Sequence, residues 1–495
     1  MTDQTPSHPA PEAPATEQLR PAHKNLVINV LLVSTFVVML NETAMVVAIP
    51  SLMEALGVDA NEAQWLTAAF LLTMAVVIPV TGYLLQRFNT RPMFTVAMSL
   101  FAGGTAVAAV APNLWMLVAA RIVQASGTAI MFPLLMTSVM TLVEPARRGR
   151  MMGRISIVMS VAPAIGPVVA GFILAQFGWR WIFLIMLPIA LAALALGYRM
   201  MLNISTPRNV PLDFLSVVMS AIAFGGIVYG LSGFGVDPAL RPIEPLIPLG
   251  IGAVVMVVFL WRQRVLARSN AALLDLSTLK EQNFVWATLM LSILMLSMFG
   301  TIILLPIYLT TVIGLATWQI GLLLMPGSLL MGLLGPYVGR LYDKIGPRPL
   351  IIPAMAVVAA VLWAMTQLGH ATPWQYILAG HLIMSLGFGF LFGPLFTTSL
   401  SSVPGHLYSH GSALLGSVQQ VAGAAGVAIF VAVMSARQAS LAASGSTAVE
   451  ALAGGIRLSF TVGAVVALLA LGASFFVKRP SMQQGHGGSA PAGHS

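Results

Sequence analysis

The chain has 495 residues, of which 58% are hydrophobic and 8% charged, with a net charge of +9 and no cysteine. A soluble domain carries roughly 25% charged residues, so a water-soluble globule is excluded, and the missing cysteines exclude disulfides, iron–sulfur clusters and thiolate zinc sites. Many of the apolar runs reach the ~20 residues a helix needs to cross a bilayer. In lipid only helices or closed barrels satisfy their own backbone. Barrel strands alternate in character over ~10-residue segments, whereas these runs are continuous, so helices are expected.

In chain order, residues 1–24 are polar and rich in Pro, Ala and Glu, which reads as a disordered tail without a cleavable signal. Spans are then predicted over 25–52, 63–85, 93–111, 114–143, 155–177, 181–203, 214–234, 246–266, 284–312, 318–340, 349–369, 374–402, 409–435 and 454–477. Residues 481–495 form a second low-complexity tail, whose His486 and His494 read as solvated rather than metal-binding. Of the 24 basic residues, 19 fall on the side that holds both tails. Arg180, Arg241, Arg437 and Arg457 fall on the other, and Arg121 alone lies deep within a span. This asymmetry places both termini in the cytoplasm and accounts for the positive charge without nucleic acid.

The chain repeats itself. Gly82-Tyr-Leu-Leu-Gln86-Arg87-Phe-Asn89-Thr-Arg91-Pro92 follows the second span, and Gly339-Arg-Leu-Tyr-Asp343-Lys344-Ile-Gly346-Pro-Arg348-Pro349 follows the tenth, at an offset of 257 (339 − 82). Pro133-Leu-Leu-Met-Thr-Ser and Pro394-Leu-Phe-Thr-Thr-Ser are related at 261 (394 − 133). Copies eight spans apart imply two six-helix halves with two helices between them, a parallel repeat that places substrate between the halves near the midplane.

These loops resemble the Gly-x-x-x-Asp-Arg-x-Gly-x-Arg motif of the major facilitator superfamily. Leu40-Asn41-Glu42-Thr43 through Pro50, Arg121-Ile-Val-Gln124-Ala-Ser-Gly127, and Ala162-Pro163-Ala-Ile-Gly166-Pro167-Val-Val-Ala170-Gly171 resemble further motifs of its fourteen-helix drug:proton antiporter branch. Within that branch the chain is similar to bacterial multidrug and lincosamide efflux pumps. It departs from the pattern at Gln86 and Asn89, where Asp and Gly are usual, and at Asn41–Glu42, where the acid stands one position late. The resemblance implies an all-α integral membrane protein with the major facilitator fold: an N-terminal bundle over 25–203, two inserted helices within 204–270 and a C-terminal bundle over 271–480. It implies proton-coupled efflux of drug-like molecules through the bacterial inner membrane. The proton gradient supplies the energy without a cofactor or metal. The lipid bilayer, protons and substrate are the partners of an expected monomer, with an accessory periplasmic adaptor left open.

Glu42 is the one carboxylate placed well inside a span, where a charge costs at least ~2.5–3.5 kcal/mol. A Glu that gains and loses its proton there would couple proton entry to substrate exit, and buried Arg121, which stays charged and needs a partner, has Glu42, Gln124 and backbone carbonyls of the first helix as candidates. Pro50 sets the competing reading, in which Glu42 is a hydrated acid about two turns from the helix end. For Arg121 the competing reading is a fixed strut. Gly166 and Pro167 permit close helix approach and a kink. Arg87, Arg91, Asp343, Lys344 and Arg348 would gate through switching ion pairs or simply set topology. Candidates for the substrate wall are Asn41, Met45, Gln124, Phe132, Met136, Phe299, Tyr308, Gln419 and Gln420, chosen for polarity, aromaticity or thioether flexibility at midplane depth. Uptake by symport, facilitated transport and a non-transporting receptor are the other readings. An ATP-driven pump is disfavoured because none of the four lysines follows a glycine, which removes the phosphate loop. No hydrolytic triad stands out, so no enzyme is expected.

Overall fold

The computed structural model describes residues 21–479 except 59, 64, 205–206, 208–212, 235–242, 270 and 370–371. The side chains of residues 21, 22, 46, 50, 60, 61, 164, 167, 317 and 318 also lie outside the described set, as do residues 1–20 and 480–495 of the expected tails. Fourteen of the described helices are long and apolar enough to cross a membrane. They are α1 (Pro21–Leu56), α2 (Trp65–Arg87), α3 (Thr90–Ala109), α4 (Leu114–Leu142), α5 (Arg148–Phe177), α6 (Arg180–Met200) and α7 (Phe214–Gly233). The second seven are α8 (Leu246–Ala267), α9 (Gln282–Thr311), α10 (Thr317–Ile345), α11 (Arg348–Met365), α12 (Trp374–Ser401), α13 (Tyr408–Ala443) and α14 (Ala448–Ser474). With an even number of crossings, residues 21 and 479 stand on one side, called the termini side below; the other is the far side.

Every expected span is present, and three of the boundary shifts have local causes. α5 starts seven residues early because Arg148 is folded into the protein, donating through Nη2 to the Met140 carbonyl at 2.8 Å and through Nε to Val143 at 3.3 Å. α10 extends to Ile345, where the Tyr342 hydroxyl pairs with that of Thr398 at 3.0 Å. α14 starts at Ala448 under a capping box in which Thr447 and Glu450 satisfy each other's backbone N–H groups.

Two bundles with matching contacts follow. In the first, α1 packs on α5, α6 and α4, while α3 packs on α4 and α6; in the second, α9 packs on α13, α14 and α12, while α11 packs on α12 and α14. The bundles meet through α5 with α10 and α2 with α13, contacts that the 257-residue offset interchanges. The inserted pair packs α8 on α7, and α7 in turn touches both α2 and α13.

A polar clamp fixes the inserted pair. Arg262 donates to both Asp213 oxygens at 2.7 and 2.9 Å, and buried Gln263 donates to Ser216 at 2.8 Å while accepting from the Leu273 and Leu274 N–H groups at 2.7 and 3.2 Å. The Arg262 hydrogen bonds hold the Asp213 carboxyl at a pKa of about 2. A depressed carboxyl pKa stabilises the fold fully above the unfolded value of ~3.9 and loses that contribution as pH falls through the folded value. Asp213→Asn is expected to cost roughly 0.5–1 kcal/mol at neutral pH, because the pair is partly exposed. Its penalty should vanish between about pH 4 and pH 2 in thermal unfolding measured in detergent.

Candidate transport site

The depth of Glu42 follows from packing. Leu52 shares an apolar cluster with Ala111, Leu114 and Trp179, which mark the far-side ends of α3, α4 and α6. Glu42 lies ten residues below Leu52 (52 − 42), about 15 Å along the helix. α1 continues as helix through Pro50 to Leu56. The Glu42 side chain is half-buried, and neither a hydrogen bond nor an ion pair within 4 Å joins it to another described residue. Its next residue, Thr43, donates to the Met39 and Leu40 carbonyls at 3.1 Å each and to Ala162 of α5 at 3.4 Å. Gly166 is required at this crossing, since a Cβ there would collide with the Thr43 hydroxyl. The Pro167 side chain lies outside the described residues.

Arg121, 2% exposed, is the charge whose field reaches Glu42. Its Nε donates to the Leu66 carbonyl of α2 at 3.4 Å, its Nη1 donates to Gln124 Oε1 at 3.2 Å, and its guanidinium lies 4.1 Å from the Phe70 ring centre. Gln124 is spent on this support, its amide donating to Thr105 of α3 at 2.8 Å. Two named hydrogen bonds and a ring face leave several of the five guanidinium donors unassigned, so Glu42 is a counter-charge without a closed ion pair. Thr105→Val strands the Gln124 amide, and a lost buried partner costs about 1–3 kcal/mol. A fall in thermal stability of that size, with the protein still folded, is the expected measurement.

The other wall candidates divide. Phe132 and Met136 line a seam between the bundles with Met152, Ser156 and Met159 of α5, Met331 of α10 and Phe392 and Phe396 of α12. Phe132 meets Phe396 edge-on at 5.7 Å. The seam leaves about 20 Å³ of open space, room for one water molecule. On α13 Gln419 and Gln420 are half-buried, and the Gln419 amide nitrogen is enclosed without a partner among the described residues. Asn41 is 1% exposed, and neither amide atom has a partner among the described residues. Phe299, 37% exposed, packs beside Gly423. The structure packs Met45 into the far-side apolar cluster and holds the fully buried Tyr308 by a 2.7 Å hydrogen bond to the Gly369 carbonyl.

On the termini side the two copies of the loop motif behave differently. Asp343 accepts from the Gly149 and Arg150 N–H groups at 2.8 and 2.9 Å, a carboxylate on the N-terminus of α5. Its counterpart Gln86 (343 − 257) makes a 3.5 Å contact with the His406 carbonyl, and 406 is 149 + 257. The turns differ too. Gly346 closes α10 at φ +83°, a conformation that favours glycine, whereas Asn89 precedes α3 at φ −65°. Arg91 and Arg348 are used within their own bundles. Arg91 lies over Tyr198 of α6 while its N–H meets Asn203, and Arg348 donates to Val477 and Phe475 beyond α14 at 2.7 and 2.9 Å. Lys344 is exposed and Arg87 half-buried.

Sequence reading missed Arg148, which joins Ser401 at 3.2 Å and the Tyr408 hydroxyl at 3.1 Å across the seam. It also missed the glycines where the seam is tightest, Gly149 and Gly153 facing Gly339 and Gly335. Their Gly-x-x-x-Gly spacing on both helices was the available signal. The hydrogen bonds named here between the two bundles, including Thr137 with Ser412 at 3.0 Å, all fall toward the termini side. A polar vestibule of about 180 Å³ lies there, lined by Gln86, Thr137, Ser138, Thr141, His406 and Ser409.

Two helical bundles related by an internal repeat, the first carrying an acid and a buried arginine within its apolar spans, define a major facilitator transporter. The sequence profile of the Major Facilitator Superfamily matches residues 31–427, and the chain belongs to that family. It is 36% identical to the uncharacterized MFS-type transporter YcnB of Bacillus subtilis over 93% of this chain and 96% of that one. It is 34% identical to the lincomycin resistance protein LmrB of Listeria monocytogenes over 94% and 99%. Among solved structures, the proton:xylose symporter XylE superposes with a TM-score of 0.63 at 15% identity, covering 93% of this chain and 97% of that one, a likeness of fold.

Proposed function

We propose that this transporter exports drugs or other amphiphilic small molecules across the bacterial cytoplasmic membrane in exchange for protons, with the termini side in the cytoplasm. The observation that carries the reading is Glu42 at mid-depth opposite buried Arg121 without a closed ion pair. Proton loss makes that pair neutral overall, and proton gain leaves the arginine uncompensated, so occupancy by a proton or by a polar substrate group alters the same field. The Met- and Phe-lined seam supplies adaptable apolar contacts for varied substrates, and relatives named for lincomycin and multidrug resistance support the substrate class. Basic residues concentrated on the termini side support the orientation. The described conformation is then closed to the cytoplasm.

The test is transport in proteoliposomes with an imposed pH gradient, using lincomycin and a panel of lipophilic cations. Substrate accumulation that follows the gradient and collapses with an uncoupler is expected. Movement down the substrate gradient alone would leave a facilitator.

A further inference from the structure

His381 is a titratable side chain within an apolar span that neither the Glu42–Arg121 pair nor the seam uses. It stands seven residues into α12 (381 − 374), as Arg121 stands seven into α4 (121 − 114). Its Nε2 lies 3.0 Å from the Leu324 carbonyl of α10, as the Arg121 Nε lies 3.4 Å from the Leu66 carbonyl of α2. The offsets are 260 (381 − 121) and 258 (324 − 66), beside the 257 and 261 of the repeated motifs. One construction, a side-chain nitrogen on a carbonyl of the neighbouring helix, thus occurs in both bundles. The N-terminal bundle fills it with a group that is always charged, the C-terminal bundle with one that changes charge in the physiological range.

The surroundings leave a vacant proton position. A carbonyl only accepts, so Nε2 carries the hydrogen in the neutral ring and Nδ1 presents its lone pair. That Nδ1 is enclosed and has no hydrogen-bond partner among the described residues. α10 makes room with Gly327, where a Cβ would meet both the His381 ring and the Ser385 hydroxyl.

Among the described residues no acid answers the ring. Glu42 corresponds to Phe299 (42 + 257). The charged groups of the helices packed on α12 are Arg340, Asp343 and Lys344 of α10, Arg348 of α11, and Arg148, Arg150 and Arg154 of α5, all toward the termini side. Arg340 is sixteen residues from Leu324 (340 − 324), about 24 Å along the helix. The other titratable groups on these helices are Tyr337 and Tyr342 of α10, on the same side, and Tyr308 of α9, which is held by Gly369. α13 touches α12 only slightly and brings Tyr408 and His410 at the termini side and exposed Arg437 near its far-side end.

We propose that His381 is a second proton-binding site, carried by the C-terminal bundle, whose protonation places an unpaired charge beside Leu324 and favours the conformation that hydrates it. Its part in transport rests on the antiport reading. The full chain, labelled with ¹⁵N-imidazole histidine in nanodiscs, tests the site itself, the His381 resonance being the one absent from His381→Gln, or from His381→Asn should the former not fold. The ring should pass from the Nε2–H tautomer to the doubly protonated form between about pH 8 and pH 5. A resonance unchanged across that range overturns the proposal. In proteoliposomes, losing one exchanged proton lowers the lincomycin gradient held by a one-unit pH gradient about tenfold, which is expected of His381→Gln. A variant that holds the wild-type gradient overturns the coupling role. Wild-type protein that holds a gradient of neither lincomycin nor any cation of the panel removes the antiport reading, and the titration then decides the proton site alone.

Discussion

Glu42→Gln is expected to lower the substrate gradient sustained by a pH gradient about tenfold or more while leaving exchange of substrate for substrate. Gln matches Glu in size and keeps polar atoms at the same place, so the half-buried position should still fold. It cannot release a proton, and Arg121 beside it then stays uncompensated in every conformation. Each exchanged proton lets a one-unit pH gradient sustain about a tenfold substrate gradient, since one pK unit is 1.36 kcal/mol. Loss of the Glu42 proton therefore lowers the steady gradient by about tenfold at least. If Glu42 is the only obligatory carrier, the gradient collapses to equilibrium. Accumulation equal to wild type in folded Glu42→Gln protein would remove this residue from the coupling reaction. Glu42→Asp separates charge from reach: it keeps the carboxylate but shortens the arm, so the gradient should persist at a lower rate.

Much of this architecture was legible because membrane helices announce themselves by length and because the repeat preserved its spacing. All fourteen spans, the equivalence of α2 with α10 and the burial of Arg121 follow from such signals. Side-chain partners were less accessible. Gln124 reads as a substrate contact from its polarity, yet it is spent bridging Arg121 to Thr105. Tyr308 reads as a midplane aromatic, yet the loop after α11 reaches it at Gly369. Pro50 reads as an end, yet α1 runs on to Leu56. For Gln124 and Tyr308 a contact distant in sequence decides the environment, and local composition carries no trace of it. His381 was visible in the sequence but needed the Leu324 contact to align it with Arg121.

The tightest inter-bundle contact gives the second large effect, and it should act on conformation rather than on coupling. A Cβ at Gly153 would strike the Gly335 carbonyl and lie 2.7 Å from the Pro336 Cα, while one at Gly339 would strike the Gly149 carbonyl. Backbone atoms cannot rotate aside as a flexible side chain can, so α5 and α10 must separate to accept a methyl group. Overpacking of this kind costs typically 1–3 kcal/mol, and the cost applies only to the conformation in which the helices touch. Gly153→Ala is therefore expected to shift the equilibrium about 5- to 150-fold toward opening on the termini side. The natural absence of cysteine allows one introduced thiol to report it. Met136→Cys suits the purpose because Met136 is 1% exposed and lines the seam. Its labelling by a water-soluble maleimide should be slow in the parent and at least about fivefold faster with Gly153→Ala. Asp343→Asn removes the negative charge from the N-terminus of α5, a contact typically worth about 0.3–1 kcal/mol, and should speed labelling in the same direction by a smaller factor. The expected order places Gly153→Ala above Asp343→Asn because backbone overlap outweighs a partly solvated helix-end charge. Unchanged labelling in folded Gly153→Ala protein would show that α5 and α10 are not the closing contact, and the Gln86–His406 side of the seam would then have to hold the bundles together.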